Sequence, residues 1–306
     1  MAHIVFMGTP AFGIPALKYL HAHHTVEAVI TQPDKPVGRK KILKASPIKE
    51  EASRLKLPVF QPEKIKDIYE DLKHMSIDFL ITAAYGQIIP ENILNLAKID
   101  ALNLHGSILP KYRGAAPIQR AIMNGEERIG VSLMRMVKKM DAGPVYGIKS
   151  ILNEDYTSGE AFKALSELSV SLLEDYLDKI IEGLTPSPQD ESNVTVAQKI
   201  TPADERLNFQ MDAKTFYHHA KALMPSPLGK LKLKGVSLKV VECSFQPAEN
   251  QGVPMVKSMD KNGVTMALNG GDITLTHVQP VGKKPMPMRD FLNGRPKDFL
   301  AVGEML

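Results

Sequence analysis

Apolar runs separated by amphipathic stretches mark the first half of the chain. The first run is HIVFMG (3–8), which ends in glycine and is followed by leucines at helical spacing, and the next is VEAVITQ (26–32). Runs of the same kind are DFLITAA (78–84), DALNLH (100–105) and IGVSLMRM (129–136). This alternation of strand and helix patterns predicts an α/β fold with a mainly parallel sheet.

The clearest helix pattern spans residues 157–183, where apolar residues recur about every 3.6 positions. Thr157 and Glu160 have the spacing of a capping box, and Gly183, followed by prolines, predicts the end of the helix. The polar stretch 185–206 that follows is predicted to be a linker.

The last third of the chain has a different pattern. One helical pattern, 207–225, precedes short alternating strands that are punctuated by glycine and asparagine. This arrangement predicts a smaller β-rich domain, a barrel of the OB type. The sequence thus predicts a first domain at 1–184, a linker at 185–206 and a second domain at 207–306.

Composition narrows the class of protein. The chain has 306 residues, of which 43% are hydrophobic and 24% charged, as in ordinary globular proteins. A single cysteine, Cys243, excludes an internal disulfide and favours a reducing, cytoplasmic compartment. We expect no membrane association and a monomer. The formal charge of +4 permits a polyanionic partner but does not establish one.

Three polar residues are candidates for chemistry. Asn103 and His105 lie two positions apart in a predicted strand, so their side chains share a face, and Asp141 follows the next strand. If these strands are parallel, their carboxyl ends meet at one edge of the sheet. These residue types suit acyl transfer to nitrogen. The amide can donate to an oxyanion, the imidazole can exchange protons, and the carboxylate can orient the imidazole. A purely structural histidine remains an alternative.

Two other motifs give weaker signals. The stretch from Gly8 to Gly13 resembles a dinucleotide fingerprint, but Pro10 stands where the backbone must approach a pyrophosphate. The histidines at 21–24 and 218–219 lack nearby cysteines or a clear ligand spacing. The sequence therefore predicts neither a nicotinamide cofactor nor a metal site.

Two basic segments suit a nucleic-acid backbone. The loop at 32–49 is rich in proline and lysine, and strand alternation places three lysines of the second domain on one face. A solvated loop and an ordinary edge strand would look the same. The basic residues concerned are Arg39, Lys40 and Lys41 in the loop, and Lys230, Lys232 and Lys234 in the strand.

Several long motifs, in order, resemble the methionyl-tRNA formyltransferases. They are IVFMGTPAF, TQPDKPVGRKKILKASPIK, AAYGQIIP, NLHGSILPKYRGAAPIQRAI, MDAGPVY and VQPVGKKPMPMRDFLNG. The resemblance implies a Rossmann-like formyltransferase domain and a barrel-like second domain. It also implies 10-formyltetrahydrofolate as donor, initiator methionyl-tRNA as acceptor, and direct transfer through a tetrahedral intermediate.

The resemblance also assigns residues by position. Asn103, His105 and Asp141 match the family's catalytic triplet. Two further segments match its folate site, and the basic loop tip matches the part that reaches the acceptor end of tRNA. The folate segments are Ser107, Ile108, Leu109 and Pro110, and Tyr85, Gly86 and Gln87.

Some positions depart from the family pattern, and two other functions stay open. Ala11 stands where an acid is usual, and the approach to Asp141 is less acidic. The second departure resembles the amino-sugar formyltransferases, which share the catalytic domain but lack the basic loop. A non-enzymatic RNA-binding protein on the same scaffold would explain the lysines, but not the triplet.

Overall fold

The computed structural model describes residues 1–37, 42–250 and 252–306, which form two compact units. The first unit comprises Met1–Pro117, Arg128–Leu152 and Phe162–Ala197. The second unit comprises Ile118–Glu127, Asn153–Ala161 and Gln198–Leu306. The segment predicted as a linker, 185–206, is thus divided between the two units, and the sequence-based domain boundaries stay a proposal.

A seven-stranded sheet organises the first unit. Its strands are β1 (His3–Gly8), β2 (Thr25–Ile30), β5 (Val59–Phe60), β6 (Phe79–Ala83), β7 (Asp100–His105), β9 (Arg128–Arg135) and β10 (Val145–Leu152). The order across the sheet is β10-β9-β7-β6-β1-β2-β5, and the four pairings from β7 to β5 are parallel. The predicted mainly parallel sheet is confirmed, with β9 and β10 as antiparallel additions at one edge.

Two small sheets complete the strands of this unit. One pairs β3 (Lys35–Val37) with β4 (Ile42–Lys44), antiparallel, within the basic loop at 32–49. The other pairs β8 (Arg113–Gly114) with β11 (Val196–Ala197), in parallel. The second pairing joins the middle of the predicted linker to the segment that follows β7.

Helices pack on the central sheet and bury its apolar strands. They are α1 (Ile14–His23), α2 (Pro47–Arg54), α3 (Tyr69–Lys73) and α4 (Glu91–Leu94), with α5 (Pro117–Met123) and α6 (Ser158–Ile181) each contributing residues to both units. The predicted capping box of α6 is present. The Thr157 backbone amide donates to Glu160 Oε2 at 2.8 Å, and the Glu160 amide donates to Thr157 Oγ1 at 3.2 Å.

The second unit contains α7 (Ala213–Ala222), α8 (Met288–Asn293) and an antiparallel sheet. Its strands are β12 (Gly229–Leu233), β13 (Val236–Pro247), β14 (Met255–Asp260), β15 (Gly263–Leu268), β16 (Gly271–Pro280) and β17 (Met286–Pro287). The order is β12-β13-β16-β15-β14, and β17 also pairs with β16. One face packs on α7 around Phe216, Val240 and Leu275. The predicted small β-rich domain is confirmed and its sheet is antiparallel, while its closure into a barrel stays a prediction.

Within the described ranges, no helix combines the length and the apolar character that a membrane span requires. The same residues contain no group of three histidine, cysteine or acidic side chains placed to hold a metal ion. The monomeric state and the cytoplasmic location stay predictions.

Candidate active site

Strand β7 presents Asn103 and His105 on one face, because side chains two apart in a strand point the same way. Thr82 of the neighbouring strand β6 lies beside Asn103 and donates its hydroxyl to Asn103 Oδ1 at 2.7 Å. This bond fixes the orientation of the amide. Asn103 Nδ2 is therefore turned towards Asp141, and donates to Oδ1 of that residue at 3.4 Å.

Asp141 reaches the other two residues by a route that differs from the predicted one. Strand β9 runs antiparallel to β7, with Leu102 opposite Arg135 and His105 opposite Ser132. The carboxyl end of β9 thus lies at the amino end of β7, so the argument from parallel strand ends was wrong. The loop between β9 and β10 instead brings Asp141 back alongside β7.

The histidine ring has a defined tautomer. His105 Nε2 lies 2.9 Å from the Tyr112 carbonyl oxygen. Because a carbonyl can accept but not donate, Nε2 carries the proton. Nδ1 lies 3.7 Å from Asp141 Oδ2, and the residue is 5% exposed. In the neutral ring, Nδ1 is therefore the basic nitrogen, and it faces the carboxylate.

Hydrogen bonds from two other segments hold Asp141. The backbone amide of Gly114 donates to Oδ2 at 2.9 Å. Gln189 donates through Nε2 to the carbonyl oxygens of Asp141 at 2.8 Å and Gly143 at 2.7 Å. Asp141 has a φ of 49°, in the left-handed region that costs a non-glycine residue roughly 1–3 kcal/mol. These contacts offset that cost and fix the loop.

The segment after His105 is held mostly by its own hydrogen bonds. Ser107 is buried, and its hydroxyl donates to the Lys111 carbonyl oxygen at 2.7 Å. The Leu109 amide donates to Ser132 Oγ at 3.1 Å. Of the four residues in this segment that the resemblance assigns to folate, Ser107 and Leu109 therefore shape the loop, while Ile108 and Pro110 stay partly exposed.

In the turn after β6, two hydrogen bonds orient the Gln87 side chain, and the Tyr85 hydroxyl lacks a partner among the described residues. Gln87 accepts from the Ile65 amide at 2.8 Å and donates to the Glu63 carbonyl oxygen at 3.0 Å, so both ends of its amide are engaged. Gly86 has a φ of 90°, and a Cβ there would meet nothing within 4 Å. Tyr85 is 3% exposed and its hydroxyl has no partner in the part of the chain described. Burial raises the pKa of Tyr85 to about 12, so the phenol stays protonated at neutral pH.

A second buried polar atom without a partner among the described residues belongs to Gln32, which the sequence analysis did not identify as a site residue. Gln32 Nε2 is enclosed and makes no hydrogen bond to any described residue. Its backbone amide donates to Thr9 Oγ1 at 3.4 Å, and that hydroxyl donates to the Tyr85 carbonyl oxygen at 2.8 Å. Gln32 and Tyr85 thus leave two unsatisfied polar atoms near the carboxyl ends of β1, β2 and β6. No local sequence pattern distinguishes Gln32 from an ordinary loop glutamine.

Two family profiles match the chain in succession. The profile described as formyl transferase covers residues 2–176, and the profile described as formyl transferase, C-terminal domain, covers residues 199–296. The methionyl-tRNA formyltransferase of Staphylococcus epidermidis is 40% identical over 311 residues, with 100% of both chains covered. That of Latilactobacillus sakei is 42% identical over 313 residues, covering 100% of this chain and 98% of its own.

The chain belongs to the methionyl-tRNA formyltransferase family.

Solved structures share this family's fold. An N-formyltransferase from Helicobacter canadensis, in complex with folinic acid and dTDP-3-aminofucose, has a TM-score of 0.69 at 18% identity, covering 92% of this chain and 100% of its own. HypX from Aquifex aeolicus, in complex with tetrahydrofolic acid, has a TM-score of 0.63 at 18% identity, covering 98% of this chain and 47% of its own. At such identities the likeness concerns the fold alone.

The predicted basic residues fall into two groups, one assigned by resemblance and one by strand alternation. Arg39, Lys40 and Lys41 lie outside the described residues. Strand β12 has its two leucines buried and Lys230 and Lys232 exposed, as alternation predicts. Lys234 lies beyond the strand, in a turn at a φ of 49°, so the prediction that all three lysines share one strand face was wrong for Lys234. Lys230 Nζ lies 2.5 Å from Glu205 Oε2, and Lys234 pairs with Glu304. In the described chain no acid lies within ion-pair distance of Lys232, which leaves it as the available cation of this face.

Proposed function

We propose that this protein transfers the formyl group of 10-formyltetrahydrofolate to the α-amine of initiator methionyl-tRNA, giving N-formylmethionyl-tRNA. One observation carries the proposal. Asn103, His105 and Asp141 converge, with Asn103 Nδ2 at 3.4 Å from Asp141 Oδ1 and His105 Nδ1 at 3.7 Å from Asp141 Oδ2. They do so in a chain about 40% identical, over its whole length, to proteins named for this reaction.

Asn103 supplies a neutral hydrogen-bond donor. Its Oδ1 is occupied by Thr82, so Nδ2 is the end of the amide that faces Asp141 and the reacting groups. There it donates to the formyl oxygen as negative charge develops. Losing one such donor typically costs about 10²–10³ in rate.

His105 and Asp141 move the proton. Because Nε2–H is already donated to Tyr112, His105 acts through Nδ1, and it is not a second donor to the formyl oxygen while the ring is neutral. Nδ1 accepts the proton that the α-amine loses as its nitrogen bonds to the formyl carbon. The adjacent Asp141 carboxylate stabilises the imidazolium. The ring then returns the proton to N10 as the bond between N10 and the formyl carbon breaks, so no proton or electron pair is left over.

The folate site is proposed from the two segments that flank the triplet. Tyr85, Gly86 and Gln87 line one side, where the orphaned phenol of Tyr85 has a hydrogen bond to offer to a ligand. Residues 107–110 line the other. Two solved proteins of the same fold are complexes with tetrahydrofolic acid and folinic acid, which supports a reduced folate here.

Recognition of tRNA is proposed for the basic residues. Lys230 and Lys232 stand on one exposed face of β12, and Lys234 is exposed in the turn that follows; together they suit a phosphate backbone. The loop tip with Arg39, Lys40 and Lys41 is proposed as a second contact, on the resemblance alone.

One assay separates this function from its two rivals. Purified protein is given 10-formyltetrahydrofolate with methionyl-tRNA or with a dTDP-amino sugar, and formylated product is measured for each. We expect transfer to methionyl-tRNA and none to the sugar. Transfer to the sugar alone would favour the amino-sugar enzymes, which share the fold at 17–18% identity. Binding of tRNA without any transfer would favour a non-enzymatic RNA-binding protein.

A further inference from the structure

Residues 187–197, here called the strap, contact both the loop of Asp141 and the segment that follows β7. Backbone bonds join Ser187 to Val145 in both directions, at 2.7 and 2.9 Å. At the other end, the Arg113 amide donates to the Thr195 carbonyl oxygen at 2.9 Å, and the Ala115 amide donates to Ala197 at 2.9 Å. The strap therefore fastens the loop of Asp141 and the segment after His105 to each other.

Gln189 is the side chain of the strap that touches the Asp141 loop most directly. Its Nε2 donates to two carbonyl oxygens, those of Asp141 and Gly143, and its Oε1 accepts from Arg113 Nε at 2.9 Å. Each hydrogen-bonding direction of the amide is thereby used. Arg113 is itself 5% exposed and pairs with Glu191 at 2.7 Å, so the acceptor end of Gln189 is fixed by a buried cation.

The Asp141 loop requires such an external hold. Asp141 adopts a φ of 49°, and Gly143 is pressed against β9, where a Cβ would lie 1.9 Å from the Arg135 carbonyl oxygen. The two contacts from Gln189 bracket the residue that bears the carboxylate. A small rotation of that backbone would move both carboxylate oxygens away from Asn103 and His105, and misplacement by about 1 Å can cost roughly 10²-fold in rate.

We propose that Gln189 is a positioning residue for formyl transfer, which holds the Asp141 carboxylate against Asn103 and His105 through the Asp141 and Gly143 carbonyls. This rests on the proposed function. The residue lies between the two segments that the family profiles match, 2–176 and 199–296, in what the sequence pattern predicts to be a linker.

Two substitutions separate the hydrogen bonds that Gln189 donates to the Asp141 loop from the one that it accepts from Arg113. Gln189→Met keeps the length of the side chain and removes the amide. Gln189→Glu keeps an acceptor for Arg113, so the contact that fixes the strap is retained. It replaces the donor Nε2 with a carboxylate oxygen, which would face the carbonyl oxygens of Asp141 and Gly143. Gln210→Met is the matched control, because Gln210 is exposed and its side chain bonds to no described residue.

The measurements are the single-turnover rate of formyl transfer, KM for both substrates, and thermal unfolding. We expect both Gln189 variants to lower kcat by about 10–100-fold with little change in KM, and the control to leave kcat unchanged. In an Asp141→Asn background, Gln189→Met should add less than about twofold, because its effect passes through the carboxylate.

A second readout does not depend on turnover. The ring ¹⁵N resonances of His105 report what faces Nδ1, so they should move in Gln189→Met and stay in place in Gln210→Met. Three results would overturn the role of Gln189. They are an equal loss of rate from Gln189→Met with and without Asp141→Asn, a change in KM alone, and His105 ring resonances that do not move in Gln189→Met although the unmodified protein is active. Inactivity of the unmodified protein would instead overturn the proposed function, while the resonances would still show whether Gln189 positions Asp141.

Discussion

The crevice around Asn103, His105 and Asp141 and the lysine face of β12 are built in opposite ways. In the crevice, His105 is buried and Asn103 and Asp141 are partly buried. Their hydrogen bonds come from residues distant in the sequence, and Asp141 and Tyr112 both have positive φ. On the lysine face, Lys230 and Lys232 alternate with buried leucines on a regular strand, and Lys234 follows in an exposed turn. Lys230 and Lys234 are paired with acids.

This difference indicates what each region can do. Strained and buried polar groups persist where the surrounding structure holds them, and such groups cluster at sites of chemistry. Exposed lysines give attraction without a fixed geometry, which suits a phosphate backbone. Substitutions in the crevice should therefore change rate steeply, and substitutions on the strand should change affinity slightly and in a salt-dependent manner.

The largest effect is expected from Asn103→Ala. The variant loses the donor that Thr82 orients, so kcat should fall by at least about 100-fold. Because the side chain is only partly buried, the thermal unfolding midpoint should change little. Steady-state kinetics and a melting curve check both points. A stable variant with near-normal turnover would remove Asn103 from the mechanism and weaken the contrast with the lysine face.

A smaller effect is expected from Lys232→Ala. Loss of one phosphate contact should lower the slope of log affinity for tRNA against log salt by about one unit. Lys230→Ala is the matched comparison, and should change the slope less because Glu205 already engages that ammonium. Binding measured at several salt concentrations checks this. Identical slopes in the two variants and the unmodified protein would mean that this face is merely solvated.

The smallest effect on turnover is expected from substitution of Cys243, which lies in the apolar core of the second unit. Burial raises the pKa of its thiol to about 12, so the reactive thiolate is scarce below that pH. Iodoacetamide at pH 8 should label the folded protein slowly and the denatured protein quickly, and Cys243→Ala should keep kcat. Fast labelling of folded, active protein would contradict this placement.

Features that depend on neighbouring residues could be predicted from the sequence. In the crevice, alternation along β7 predicts the common face of Asn103 and His105. Elsewhere in the fold, the capping-box spacing at Thr157 predicts the start of α6. Apolar periodicity does not encode strand direction, however. The antiparallel course of β9 was therefore missed, although the resemblance still assigned Asp141 to the triplet.

The supports of the site are harder to predict because they are distant in sequence. Gln189 contacts the carbonyl of a residue 48 positions away, and its own surroundings are polar and rich in proline, which is typical of a linker. The lysine face shows the same limit. Alternation predicts that Lys230 and Lys234 are exposed, but their pairing with Glu205 and Glu304 depends on residues elsewhere in the chain.

The most direct test of the account is the single-turnover rate of formyl transfer to methionyl-tRNA by Asp141→Asn. The substitution keeps the size of the side chain but removes the charge that faces His105 Nδ1. We predict a rate at least about 100-fold below that of the unmodified protein, with a similar unfolding midpoint. A folded variant that transfers the formyl group at the normal rate would contradict the central claim.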